Sequence, residues 1–592
     1  SEGQCLRCWE GRLTTKDIFS FLIEQSRPRT RYVMFNFNYD IVHWLRDLPD
    51  IALVRLYQRG QCYVDVAGTV YRIRYIPRKI FSLMDSRRKR RITIYDVFGF
   101  YQASFVRALH DWNVRPDVAQ AIDEMKRRRG VFREQERREI EAYCFAECRL
   151  LVELVQRLDA ALNQAGIRIR SWHGSGAIAS SLLRSHKMKP VIESPKEPIP
   201  GLFRAGYYGG RIESFVTGLI PCPVYSYDLR SAYPAALAQL PSFPRPWQWL
   251  SQFRPDGYGL WHCRWRISEP MPTGPFPFRR DGNIYYPLAG EGWYWTPEVL
   301  AALSSFSDIE IRGGWWHPDE GDRPFAWVAD YYQLRKSFQK QGYQAEKVIK
   351  LGLNSLYGVI AQTVGDYHPW QSFCYAGLIT AITRARLVTA FGHAPWRVRH
   401  YDAVSVSFDG AIIGVMTDSI TSMRPLPLPL GEELGAFSCT EYEPGLLIVQ
   451  PGVVFHPTHH AFRTRGFSPR AVTPDGPLTY SYVRDIWEKE GMFGTLHLRD
   501  SQFIGLGLSL RREGEKYWID RSVYGQWREQ DHIVHFSPLP RKYPADGSFS
   551  SSPYVWLVAH PGFPGVSEPY VSKSEMPDDF LLAYLAYRDD TE

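Results

Sequence analysis

The chain is 592 residues long, with a formal net charge of +8, 19 Trp and 35 Tyr. That length calls for several domains of about 100–200 residues each. An ordinary apolar content argues against a fibrous or disordered chain, and no run is long and apolar enough for a membrane span. The modest positive balance suits a polyanionic partner without identifying one. Nine scattered Cys and the absence of a signal peptide read as reduced thiols of a soluble intracellular protein. Cys5-Leu6-Arg7-Cys8 and the Cys144/Cys148 pair, one helical turn apart, are candidate zinc ligands, although structural zinc sites usually join two tight pairs.

In chain order, residues 30–40 read as a strand running into a turn that carries Asn36 and Asp40. Residues 62–98 alternate as β-hairpins, with Arg87-Arg88-Lys89-Arg90-Arg91 at a tip and Ile92–Tyr95 returning as a strand. This cluster, like Lys126-Arg127-Arg128-Arg129, is either a solvated loop tip or a polyanion contact. The spacing predicts a long amphipathic helix from Arg133 to about Leu162 and a shorter one from Trp172 to Ser185. A Pro-rich break over residues 189–201 marks a domain boundary. A strand ending at Asp228 follows; residues 240–325, rich in Pro, Gly and Trp, read as irregular or β. Two helices are predicted over about 325–362 and another over 376–391, before strands around Asp409-Gly410 and Asp418. The stretch beyond 467 is mixed.

Three short segments carry the chemistry. Val224-Tyr225-Ser226-Tyr227-Asp228 alternates as a strand, so Asp228 closes it with one face open, and a carboxylate there is a hard oxygen donor suited to Mg²⁺. Tyr233 follows, fixed by Pro234; taken alone, this segment reads more readily as an Asp-capped turn with a buried Tyr. In the second segment, Lys347, Lys350, Asn354 and Tyr357 share one helical face, while Ile349, Leu353, Leu356 and Ile360 share another that should pack inward. Lys350 is placed to neutralise a polyphosphate as a point charge. The third is Met416-Thr417-Asp418-Ser419.

In this order the segments resemble motifs A, B and C of family B DNA polymerases, above all the compact branch of protein-primed phages and of viral, plasmid and organellar elements. The resemblance implies a mixed α/β multidomain fold, with an RNase H-like 3′-5′ exonuclease domain followed by a right-hand polymerase of palm, fingers and thumb. The implied division is an exonuclease-like domain at 1–195 and a linker at 196–222. Palm follows at 223–250 and 363–466 around an insertion at 251–325, with fingers at 326–362 and thumb at 467–592. It further implies that Asp228 and Asp418 bind two Mg²⁺ ions about 3.5–4 Å apart, with Mn²⁺ as an alternative. Tyr233 would exclude a 2′-hydroxyl, and Lys350, Asn354, Tyr357 and Arg335 would serve the dNTP. One departure stands out: Met416 occupies the place of the family's first Asp in Asp-Thr-Asp-Ser. Asp409 is either its substitute or the turn residue of Asp409-Gly410.

Tyr207-Tyr208-Gly209-Gly210 resembles the family's Tyr-x-Gly-Gly loop. Arg463 and Arg465, in Phe462-Arg463-Thr464-Arg465-Gly466, resemble the region that grips the primer, although a surface basic turn is the alternative. Tyr207, Gly209, Gly210, Thr417, Arg463 and Arg465 are therefore the expected primer–template contacts. Asn36 and Asp40 resemble the second exonuclease motif, and Tyr143 with Glu147 the third, Glu standing for the usual Asp. A longer arm moves the oxygens by a bond length, and a misplacement of about 1 Å can cost on the order of 10²-fold in rate. No Asp-x-Glu precedes Asp40, and the sequence opens without Met, so the first motif is expected upstream of residue 1 or lost. Exonuclease activity is expected to be weak or absent. Only about Gln362–Gln371 fills the gap where protein-primed replicases carry a clamping insertion, so strong intrinsic processivity and terminal-protein priming are not expected. The partners implied are a DNA primer-template, dNTPs and, as an open case, a priming protein, with no membrane. Two rival readings remain: a weakened nucleic-acid-binding relic, and a primase-like enzyme that starts chains unprimed.

Overall fold

The computed structural model describes residues 12–128 and 137–536, except 216–217, 268–272, 281–282, 288, 364–367, 392–397, 403–404, 409–411, 451, 459–463, 465 and 492–493, together with 554–555 and 566–567. It is a mixed α/β protein of two compact units, each drawn from several stretches of chain: residues 1–187, 330–369 and 502–528, and residues 188–329, 370–501 and 529–592.

The first unit is built on a five-stranded sheet in the order Tyr32–Met34, Arg91–Asp96, Ile80–Asp85, Thr69–Ile76, Gln61–Val66. The outer pair Tyr32–Met34 and Arg91–Asp96 runs parallel, and the rest is an antiparallel meander. The basic run at Arg87–Arg91 sits at the exposed Ile80–Asp85 to Arg91–Asp96 turn, as the alternation predicts. Strict alternation in Thr69–Ile76 buries Tyr71, Ile73 and Tyr75 on one face. The helices Thr15–Gln25, Asn38–Trp44 and Asp50–Arg59 pack there through Phe19, Ile41 and Leu53. The first of these opens on a reciprocal cap between Thr14 and Asp17. Residues 502–528 return to the same core, where Leu506, Ile519 and Tyr524 are buried, and Arg521 ties in through Asp50 and the carbonyls of Arg46 and Leu48. Arg137–Gln164 and Ser175–Ser185 are the two predicted helices, the second beginning three residues later than expected.

Helix Ala345–Ile360 also belongs to this unit. Its apolar stripe is buried as predicted, with Ile349, Leu353, Leu356 and Ile360 almost fully enclosed. It lies against Ser175–Ser185 so closely that a Cβ on Gly352 would stand 2.7 Å from Ile178 Cγ2.

The second unit centres on a five-stranded antiparallel sheet in the order Phe437–Tyr442, Val224–Leu229, Ser419–Ser422, Ile412–Thr417, Arg211–Ser214. One face buries Tyr227, Leu229, Val415, Ile420 and Phe437 in a core shared with helix Phe373–Phe391, which begins three residues before its predicted start. Of the two readings for residues 240–325, the β one holds among the described residues: a four-stranded sheet in the order Ala289–Trp295, Gly257–Arg266, Ile309–Pro318, Gln248–Leu250, with helix Thr296–Ser305. Trp261, Trp265 and Trp295 are fully buried, which accounts for the local Trp richness as core. A small sheet joins Gly218–Ile220 to the hairpin Leu446–Gln450 and Val453–Phe455. Among the described residues, no helix is long and apolar enough to cross a membrane.

Candidate functional site

The polar face of the central sheet follows from its register. In a strand the side chains alternate, so directly paired residues share a face. One row across all five strands reads Ser438, Asp228, Ser419, Met416, Ile212; the next reads Thr440, Ser226, Thr421, Gly414, Ser214. Small hydroxyl residues therefore pave this face, and Asp228 stands in their midst. Asp418 lies in the turn between Ile412–Thr417 and Ser419–Ser422, and its carbonyl accepts from the Leu229 amide at 2.9 Å. Asp228 and Asp418, with Ile212, Met416, Thr417, Ser419 and Gly452, line one cavity of about 390 Å³.

Backbone geometry sharpens this corner. Thr417 has φ +58 and Ser231 φ +49, both in the left-handed region that a β-branched residue avoids. The Asp418 amide donates to the Met416 carbonyl at 2.6 Å, closing a tight loop around Thr417. The Ser438 hydroxyl donates to the Asp228 carbonyl at 3.2 Å, and Arg230 reaches Gly431 O and Glu432, so the Asp228 strand end is held from both sides.

The glycine loop joins the same corner. A Cβ on Gly210 would stand 2.7 Å from Thr417 Cγ2 and 2.9 Å from Tyr233 Oη. Burial pushes the Tyr233 phenol up to about 12; the Arg384 cation pulls against that shift, and Asp418 and Tyr207 act with it. Tyr207, Gly210, Thr417, Asp418 and Tyr233 are thus neighbours, although they come from three separate stretches of chain.

What positions the loop was missed in the sequence. Arg384, 1% exposed, pairs with buried Glu298 at 2.7 Å and donates to the carbonyls of Tyr208, at 2.8 Å, and Gly209, at 2.5 Å. Thr380 Oγ1 adds a hydrogen bond to Tyr208 O at 2.7 Å. Arg384 and Arg386, the two charged residues of the otherwise apolar helix Phe373–Phe391, were the available signal, since a buried cation must be paired. A second buried pair, Arg211–Glu213 at 2.7 Å, follows the loop and is joined by Thr273.

In the first unit, Lys350 and Asn354 are exposed and Tyr357 is half-buried on the outer face of Ala345–Ile360. Lys347 departs from its predicted place. It bonds to the carbonyl of Asp111, the last residue of helix Phe105–Asp111, and lies over the Trp112 ring. Arg335, half-buried, pairs with Glu346 at 3.4 Å. Asn36, at φ +54, donates its amide to the fully buried Asp96, which also accepts from the amides of Phe37 and Phe98. Asp40 stands on helix Asn38–Trp44, not in a turn, and is half-buried. Tyr143, buried, and Glu147, half-buried, are one turn apart on Arg137–Gln164. Cys144 and Cys148 form no disulfide among the described residues. Arg463, Arg465, Asp409, Cys5 and Cys8 lie outside the described residues.

Among the described residues no three His, Cys, Asp or Glu side chains come together as a metal cage. Asp228 and Asp418 offer two carboxylates on one cavity. That donor set fits a hard cation which completes its shell with water and phosphate oxygens.

Residues 121–368 match the family described as DNA polymerase type B, organellar and viral. The primer-independent DNA polymerase PolB of Escherichia coli is 31% identical over 172 residues, covering 26% of this chain and 20% of that protein. The DNA polymerase of Acidianus bottle-shaped virus is 24% identical over 281 residues, covering 44% and 40%. The DNA-directed DNA polymerase of Enterobacteria phage PRD1 is 23% identical over 251 residues, covering 40% and 41%. The chain thus spans about a fifth to two fifths of the length of these relatives. In fold it is similar to Phi29 DNA polymerase, with a TM-score of 0.57 at 12% identity over 88% of this chain and 93% of that one. The same polymerase complexed with primer-template DNA and incoming nucleotide gives 0.53 at 12% identity over the same shares.

Proposed function

We propose that the chain, which matches the organellar and viral type B DNA polymerase family over residues 121–368, is a template-directed DNA polymerase that adds dNTPs to a primer 3′ end. The observation that carries this reading is the single cavity lined by Asp228 and Asp418, far apart in sequence and one strand apart in space.

In this reading the two carboxylates hold the divalent cations that type B polymerases use, Mg²⁺ or Mn²⁺. Such ions, when bound, spread the triphosphate charge and ease ionisation of the primer hydroxyl. The primer 3′-oxygen bonds to the α-phosphorus as the bond to pyrophosphate breaks, and the protein's share is placement and charge. Tyr233 gives the sugar a buried aromatic floor with no room for a 2′-oxygen. Lys350 supplies a point charge to the triphosphate, with Asn354, Tyr357 and the more firmly paired Arg335 beside it. The loop Tyr207–Gly210, held by Arg384, presents backbone to the template, with Thr417, Arg463 and Arg465 serving the primer end. Residues 223–250 and 363–466 act as palm, 326–362 as fingers and 467–592 as thumb; 1–195 acts as an exonuclease-like domain of weak or no activity.

Extension of a labelled primer with dNTPs and then rNTPs, on wild type and Asp228→Ala, tests the reading. Template-dependent dNTP addition that the variant loses supports it; equal extension by both overturns it. Shortening of an end-labelled primer that Asp40→Ala abolishes would overturn the weak-exonuclease assignment. A second reading, favoured by the name of the Escherichia coli relative, is that the chain starts strands without a primer. Product from template and dNTPs alone would establish it.

A further inference from the structure

Beside the carboxylate cavity, on the same face of the sheet, lies a second cavity of about 350 Å³, walled by the second hydroxyl row and roofed by the hairpin Leu446–Gln450 and Val453–Phe455. Its volume falls within the range of pockets that hold small organic ligands, about 300–1,000 Å³. Its walls say what such a ligand is. Ile448 and Val454 give apolar surface, and the Tyr442 and His456 rings, with centroids 4.2 Å apart, form an aromatic side. Among the described residues no Lys or Arg lines it, so a phosphate or carboxylate would meet no permanent cation there. The one carboxylate, Glu213, already accepts from Arg211 at 2.7 Å and from Thr273 at 2.9 Å. Beyond it, the described lining offers a guest apolar contact, the hydroxyls of Ser214, Ser226, Thr421 and Thr440, and the polar edges of the Tyr442 and His456 rings.

Met416 lines both this cavity and the one that holds Asp228 and Asp418. Its side chain is unbranched and adapts readily to a new neighbour. Its carbonyl accepts the Asp418 amide across the left-handed Thr417. A guest pressing on Met416 therefore acts on the turn that carries a catalytic carboxylate.

We propose that this cavity binds a small, neutral, mostly apolar molecule of one to three rings, and that its occupancy slows synthesis through Met416. The coupling rests on the polymerase reading; the binding does not, so the two are measured separately. Binding is read with N-phenyl-1-naphthylamine, an uncharged fluorophore that brightens in apolar surroundings. The wild type should show a saturable rise. Val454→Trp and Thr421→Leu, each filling the space, should bind at least tenfold more weakly with unchanged melting. In the wild type, the probe should slow amide exchange in 412–422 and 446–456. Absence of saturable binding, equal binding by the filled variants, or protection confined to other segments would overturn the site. At saturation, primer extension should slow several-fold in the wild type and markedly less in Met416→Ala. Saturation without any change in rate would overturn the coupling and leave the site standing.

Discussion

The backbone amide of Leu229 donates to the carbonyl of Asp418 at 2.9 Å. This bond joins the backbone of the residue after Asp228 to the backbone of Asp418, so the two cannot separate without opening the central sheet. The register that follows, with Ser419 directly across from Asp228, sets both on the rim of one cavity.

Gly210 is the point where the glycine loop meets that rim. A methyl group there would stand 2.7 Å from Thr417 Cγ2 and 3.2 Å from its Cα, and a backbone atom cannot rotate away. Gly210→Ala should leave the melting temperature within a few degrees and lower the rate of primer extension by about 10²-fold, since sub-ångström displacement of reacting groups is costly. Single-turnover extension checks it.

Thr417 itself is strained. A β-branched residue at φ +58 costs about 1–3 kcal/mol. Thr417→Gly should therefore raise stability by about 1 kcal/mol while slowing synthesis, because the turn loses its fixed shape. Urea melts and turnover measured on one preparation should move in opposite directions.

Arg384 supports the loop from below. Replacing it with Met leaves Glu298 charged and buried, and frees the carbonyls of Tyr208 and Gly209. The expected loss is about 3–5 kcal/mol. The double change Arg384→Met with Glu298→Leu should recover a large part of that stability but not the activity, since the loop still lacks its donor.

His173 gives the first unit an acid limit. Burial, with Lys79 and Arg74 adding to it, lowers its pKa to about 4. The unfolded chain, at about 6.5, takes up a proton that the native state refuses. Its contribution is fully present above about pH 6.5 and is lost as the pH falls towards about 4. Urea melts at pH 7 and pH 4.5 should differ by on the order of 2 kcal/mol more in the wild type than in His173→Gln.

Local patterns carried much of this in the sequence. Alternation placed Asp228 at an open strand end, and the 3.6-residue period picked out Ile349, Leu353, Leu356 and Ile360 as the buried stripe. Non-local facts did not show. Lys347 shares the helical face of Lys350 on any wheel, yet Asp111 and Trp112 draw it aside, and only packing reveals that. The hydroxyl rows depend on the register of five strands from four distant segments. The return of Leu506, Ile519 and Tyr524 to the amino-terminal core has no periodic signature, because those residues lie in short turns and strands. Arg384 was visible as one of two cations in an apolar helix, but its acceptors lie far away in sequence.

The most direct test is the rate of templated dNTP addition by Asp228→Asn and Asp418→Asn, alone and together, with melting and DNA binding measured alongside. Each single change should cost at least about 10²–10³-fold, and the double change should cost little more than the worse single one, as residues of one catalytic unit behave. If either variant extends a primer within tenfold of the wild-type rate while folding and binding DNA normally, the shared cavity is not where synthesis occurs.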